Sequence, residues 1–160
     1  MTQPGAKAAL AAPLDAAGLV VGVVSARWNA DIVDRLTAGA CDAIGGAGGE
    51  VRLASAPGAF ELPFAASVLA RSGDVDAIVV CGAVIRGETT HYEIVSENCA
   101  SGVMQLQLDT GIPIGLGIVT VENHDQAMAR CSDEHNVGRD AALAAIELAL
   151  LARHPVSQAR

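Results

Sequence analysis

Residues 88 to 91 set Glu88, Thr89, Thr90 and His91 side by side, after an apolar run that ends at Ile85 and the pair Arg86 and Gly87. Small hydroxyl residues at the start of a helix suit a bound phosphate or other anion, because helix N-termini carry unpaired N–H groups and a partial positive charge. Imidazole exchanges protons near neutral pH, so His91 suits proton transfer. Glu88 tolerates a neighbouring anion only if its side chain turns to solvent. The same four residues also read as a plain helix cap with a structural histidine, and the stretch alone leaves both readings open.

Three other places carry chemistry. Trp28 is the sole tryptophan and precedes Asn29. A flat ring there can stack on a heteroaromatic substrate, or can simply fill a core or interface. In "PGAFE", residues 57 to 61, Gly58 permits close approach to the backbone, Phe60 offers an apolar wall and Glu61 an acceptor for hydroxyls. The alternative is a strand-to-helix turn with Glu61 in the favourable first helical turn. Arg130 can grip phosphate with two N–H groups, or can be a solvated surface arginine.

These residues need elements to position them. Residues 19 to 25, "LVVGVVS", form a short β-branched run that predicts a strand buried on both faces. Ile32, Val33, Leu36, Ala40 and Ile44 then follow helical spacing, with a glycine-rich stop. A second strand is expected over 51 to 56, and a helix over "ELPFAASVLARSG" with Pro63 in its first turn. Residues 77 to 85 predict a third strand, about 90 to 108 a long helix, and 112 to 121 a fourth strand. Asn123 can cap a short helix through Arg130, and a last helix runs from Gly138 to His154, with Pro155 just beyond.

Strands alternating with helices predict a three-layer αβα fold around a four-stranded parallel sheet. Ligands of such sheets bind beyond the carboxyl ends of the strands. Residues 86 to 91, "RWN", "PGAFE" and Arg130 all fall on that edge. No internal repeat or interdomain linker is evident. Residues 1 to 17 read as a loose arm, 18 to 154 as one domain and 155 to 160 as a tail.

Composition narrows the function. The net charge is −8 with a single lysine, Lys7, which argues against a nucleic-acid partner. No apolar run reaches the ~18 residues of a membrane span. The N-terminal residues lack the pattern of a signal peptide. Cys41, Cys81, Cys99 and Cys131 are widely spaced with no CxxC pair, which suits reduced thiols in a cytoplasmic protein and not a zinc site. "GGAGG" at 45 to 49 ends a helix instead of opening one, so it is no dinucleotide loop, and no Walker lysine exists. The four aromatic residues require a core of Ala, Val, Leu and Ile.

The segments "ARWN", "PGAFELP", "GAVIRGETTHYEIV", "TGIPIGLGIVTVEN" and "QAMAR", in this order and spacing, resemble the lumazine synthase family from about residue 18 to 152. The resemblance implies a flavodoxin-like fold and formation of 6,7-dimethyl-8-ribityllumazine from 5-amino-6-ribitylaminouracil and 3,4-dihydroxy-2-butanone 4-phosphate, a step of riboflavin biosynthesis. It implies no metal and no organic cofactor. It also implies homopentamers, in some members built into decamers or icosahedral capsids, with active sites between subunits, and riboflavin synthase as a partner.

Residue by residue, the resemblance assigns Trp28 to stacking on the pyrimidine, with Asn29 as a polar contact. It assigns Ala59, Phe60 and Glu61 to the ribityl chain, and the backbone of Ala83, Val84 and Ile85 to the pyrimidine. Glu88, Thr89 and Thr90 fall at the phosphate end, His91 at the proton-transfer position, and Arg130 at the phosphate-binding arginine given by a neighbouring subunit. Three departures stand out. Leu116 replaces a common Phe over the pyrimidine, Val137 replaces a common Lys, and the loop from Arg130 to Asn136 is about one residue short. These bear on affinity more than on reaction type. Two other classes remain for comparison: a weakly catalytic lumazine- or riboflavin-binding shell protein of the same fold, and a flavodoxin-like regulatory domain. The regulatory domain's acidic pocket after the first strand and its later lysine are missing.

Overall fold

The computed structural model describes residues 12–154. Four strands, β1 (Val20–Ala26), β2 (Glu50–Ala56), β3 (Ala77–Ile85) and β4 (Ile114–Val121), form one all-parallel sheet in the order β2-β1-β3-β4. The α-helices among the described residues are α1 (Ala30–Gly46), α2 (Leu62–Ser72), α3 (His91–Thr110), α4 (His124–Ala129) and α5 (Val137–Arg153). No helix among the described residues is long and apolar enough to cross a membrane.

Alternation along the central strands builds two cores. Val21, Val23, Val79 and Cys81 face α1 and α5 with Ile32, Leu36, Ala142 and Ile146. Val24, Ile78 and Val80 face α2 and α3 with Leu62, Ala66, Cys99 and Val103. Both faces of β1 and β3 are therefore covered, as the continuous apolar runs require. β2 departs from that pattern: it is an edge strand, and Arg52, Leu53 and Ser55 are exposed.

α5 packs closely enough on β4 and α1 to require glycine at two positions. A Cβ on Gly115 would lie 2.1 Å from the carbonyl oxygen of Ala141, and one on Gly138 would lie 2.0 Å from that of Leu36. Large side chains have no room there. Asn136 caps α5, accepting from the Arg139 N–H at 3.0 Å and donating to the Arg35 carbonyl at 2.9 Å.

Element boundaries differ from expectation in small, explicable ways. Residues 59 to 61 form a 3-10 turn before α2 begins. α3 runs on to Thr110 and stops where Gly111 turns left-handed at φ 70°. Asn123 caps α4 as expected, accepting from the Gln126 N–H at 3.0 Å. α5 begins at Val137, one residue before the expected Gly138. Ala16, placed by the sequence in a loose arm, is fully buried and donates its N–H to the Ala47 carbonyl at 2.8 Å. The rest of that arm through residue 11, and the tail from 155 to 160, lie outside the described residues.

Candidate active site

The order β2-β1-β3-β4 reverses direction between β1 and β3. At such a switch point the loops leaving neighbouring strands diverge and open a crevice. A cleft of about 620 Å³ lies there, lined by Trp28 and Asn29 after β1, residues 58 to 61 after β2, residues 83 to 85 at the end of β3, and His91, Ile94 and Val95 of α3.

Trp28 is 74% exposed, so its ring is a cleft wall and not core. It lies close over Gly58. A Cβ on Gly58 would come 3.4 Å from Trp28 Cδ1 and 3.2 Å from Glu61 Oε2. Gly58 itself is extended at φ −151°, so the glycine answers a shortage of space and not a special backbone angle. Phe60 is 54% exposed and Ala59 is buried beneath it. Glu61 is exposed and lines the cleft beside Gly58 and Trp28.

Asn29 is the one non-glycine residue with positive φ, 57°, among the described residues. Asn tolerates this region better than most side chains. Its Nδ2 donates to the Ala83 carbonyl at 3.0 Å. The expected polar contact to ligand is thus spent, at least on one N–H, in tying the exit of β1 to that of β3. Ala83 and Val84 are buried and Ile85 half-buried, giving the cleft an apolar floor.

His91 is the first residue of α3 and is exposed. Its backbone N–H donates to Thr89 Oγ1 at 3.3 Å, so Thr89 serves as a local cap, while Thr90 makes no side-chain cap. Glu88, Thr89 and Thr90 are exposed, lead into His91 and do not line the cleft themselves. Ile94 and Val95 do line it, and the sequence reading missed them. They stand three and four residues after His91, which is the spacing of one helix face.

Two assigned residues sit elsewhere. Leu116 lines a separate groove of about 270 Å³ with Ser96, Glu97, Ala100, Ile118 and Thr120. Arg130 is exposed at the end of α4, and its Nη1 donates to the Gln126 carbonyl at 2.9 Å.

Arg86, passed over in the sequence, is the best-connected charged group near the cleft. Its N–H donates to the Val121 carbonyl at 2.9 Å, its Nε lies 3.0 Å from a Glu122 carboxylate oxygen, and its Nη1 pairs with Glu93. The guanidinium stands 4.0 Å over the Tyr92 ring. The hydrogen bond from Arg86 holds the Glu93 carboxyl below its ordinary range, and Glu93 and Glu122 together raise that of Arg86. The thiols are poor nucleophiles by comparison, since burial pushes Cys81 up to about 12 and Cys99 up to about 11. No group of three His, Cys, Asp or Glu among the described residues could hold a metal ion.

The site therefore joins an aromatic wall, an apolar floor, a carboxylate and an imidazole, which suits a flat heterocycle bearing hydroxyls. Comparison with known proteins agrees. The model of the 6,7-dimethyl-8-ribityllumazine synthase family matches residues 18–153. The 6,7-dimethyl-8-ribityllumazine synthase of Paraburkholderia phymatum is 45% identical over 143 residues, covering 87% of this chain and 81% of that protein. That of Burkholderia multivorans is 44% identical over 142 residues, covering 86% and 80%. That of Xanthomonas euvesicatoria pv. vesicatoria is 46% identical over 130 residues, covering 79% and 84%. With fold, cleft and relatives in agreement, the chain belongs to the 6,7-dimethyl-8-ribityllumazine synthase family.

Proposed function

We infer that the protein is a transferase of riboflavin biosynthesis that condenses 5-amino-6-(D-ribitylamino)uracil with 3,4-dihydroxy-2-butanone 4-phosphate. The single observation that carries this is the switch-point cleft, in which Trp28, Glu61 and His91 converge in a chain of this family. An amine of the uracil attacks the ketone and water leaves, giving an imine. Phosphate is eliminated, the enol tautomerises, and the second amine closes the ring with loss of a second water.

Trp28 stacks on the pyrimidine, the floor at Ala83, Val84 and Ile85 sets its depth, and Ala59, Phe60 and Glu61 receive the ribityl chain. His91 moves protons. Glu88, Thr89 and Thr90, at the start of α3, face the phosphate end. Most of the acceleration comes from orienting two reactants, with proton transfer adding ~10²-fold or more.

Arg130 and Leu116 complete the cleft of a neighbouring subunit. Supporting this, both lie outside the chain's own cleft, and large apolar side chains are unusually exposed, among them Phe64 at 76%, Leu108 at 71% and Leu53 at 69%. Exposed apolar side chains of this size favour burial against a second chain. The assembly is built from homopentamers, alone or joined into decamers or icosahedral capsids, working in the cytoplasm and passing its product to riboflavin synthase.

The purified protein is tested with both substrates. Equal amounts of lumazine and inorganic phosphate are expected. Tight binding of the lumazine without turnover would overturn the enzyme reading in favour of a binding shell.

A further inference from the structure

Arg86 lies between two helices that each carry a reactive group. α3 begins with His91, and Glu93, two residues on, is paired with Arg86 Nη1. α4 leads to Arg130, and Glu122, two residues before α4, is paired with Arg86 Nε at 3.0 Å. The second connection runs on through the Glu122 main chain and the residues of α4. The Glu122 N–H donates to Gln126 Oε1 at 2.9 Å, and the Gln126 carbonyl accepts from Arg130 Nη1 at 2.9 Å.

On the Glu93 side the carboxylate is held by one oxygen: Oε1 pairs with Arg86, the largest influence on its charge, while Oε2 has no hydrogen-bond partner among the described residues. Gly87, between Arg86 and the reactive stretch, has open space around it and adds no packing of its own. The loop from 87 to 90 is therefore held at its ends, by Arg86 and by the first turn of α3.

We propose that Arg86 is a positioning residue that sets His91 and Arg130 at once, through Glu93 and Glu122 respectively. The proposal rests on the functional reading above. A planar guanidinium can present two N–H edges to two carboxylates while its face covers Tyr92, and a lysine ammonium cannot reproduce that arrangement. In the assembled ring His91 and Arg130 of one chain serve different clefts, so Arg86 couples neighbouring sites. The ion pairs themselves are partly exposed and add little to stability, so their removal leaves the fold in place.

The two arms separate in kinetics. Glu93→Ala should lower kcat ~10-fold with little change in either KM, because proton transfer is lost by misplacement of His91. Glu122→Ala should raise the KM of the butanone phosphate ~10-fold and spare that of the uracil, because a charged phosphate contact is loosened. Arg86→Lys should show both effects together. Amide hydrogen exchange on the same assembled variants gives a second measurement, with faster exchange in residues 87 to 94 for Glu93→Ala and in residues 122 to 130 for Glu122→Ala. Turnover in the unmodified protein with unchanged constants and exchange in both glutamate variants overturns the proposal alone. Absence of turnover in the unmodified protein overturns the functional reading and this proposal with it.

Discussion

Asn29 Nδ2 donates to the carbonyl oxygen of Ala83 at 3.0 Å, while the Asn29 backbone is left-handed at φ 57°. One side chain thus bridges the two strands whose divergence makes the cleft. Asn29→Ala loses the bridge and strains the backbone, and should cost about 2 kcal/mol. Asn29→Gly keeps the angle and loses only the bridge, so it should cost about half as much. Urea unfolding of both variants checks the order; equal losses would mean that the backbone angle is irrelevant.

Gly58→Ala should act on the cleft and not on the fold. The backbone angle, φ −151°, suits any residue, but the new methyl would press on Trp28 Cδ1 from 3.4 Å and on Glu61 Oε2 from 3.2 Å. The expected outcome is a several-fold higher KM for the uracil with an unchanged thermal midpoint. Because Trp28 is the only tryptophan, its emission reports the same event: quenching by the lumazine product should weaken in the variant.

His91→Ala should lose ~10²-fold in kcat, and Arg130→Ala should turn over poorly at butanone phosphate concentrations well below its raised KM. Dissociated, mixed and reassembled, they should recover part of the activity, because some interfaces then unite an intact His91 with an intact Arg130. Mixed oligomers verified by mass that show no recovery would place both groups in a single chain's site.

Arg139 should not replace the missing lysine at position 137. Asn136 is the cap and Val137 opens α5, so positions 137 and 139 are both helical, and two residues on a helix turn by roughly 200°. Arg130→Ala should raise the KM of the butanone phosphate ~10-fold or more, as a charged hydrogen bond of ~1.5–3 kcal/mol predicts. Arg139→Ala should leave it nearly unchanged. Equal damage to phosphate binding in the two variants would show that Arg139 has taken over.

Acid should test the contact between α1 and α4. Asp31 Oδ2 lies 2.6 Å from His124 Nε2, and that hydrogen bond holds the Asp31 carboxyl below its ordinary value. A depressed carboxyl contributes stability above its unfolded value of about 4, and loses it as pH falls through the folded value. Asp31→Asn should therefore be slightly less stable than the parent at pH 6, and the gap should close below about pH 4. Denaturant midpoints across that range give the answer, and a gap that widens in acid would refute the assignment.

The sheet was readable because residues 77 to 85 and 19 to 25 are continuous apolar runs, and only burial on both faces explains such runs. Trp28, Glu61 and His91 were readable because each follows a strand. Other features depend on distance across the fold. Arg86 meets Glu122 36 residues away, and Asn29 meets Ala83 54 residues away. Neither pairing leaves a local trace. Ile94 and Val95 were missed for a different reason: an apolar pair on a helix usually faces core, and here both also line the cleft, Ile94 exposed and Val95 packed against the core beneath. Ala16 shows the limit of composition, since a stretch rich in Ala and Pro looks loose until one residue is buried and its N–H meets the Ala47 carbonyl.

The glycines divide the molecule mechanically. On the α5 side, Gly115 and Gly138 oppose backbone carbonyls, so that joint has no clearance and cannot slide. On the α2 side, a Cβ on Gly22 would meet Leu69 Cδ1 at 2.9 Å, and one on Gly82 would meet Leu62 Cδ1 at 3.0 Å. Those are side-chain tips, and Leu62 is itself fully buried. The α5 side is thus fitted main chain to main chain and the α2 side through interlocked leucines, and Phe60 and Glu61 lead directly into the α2 side.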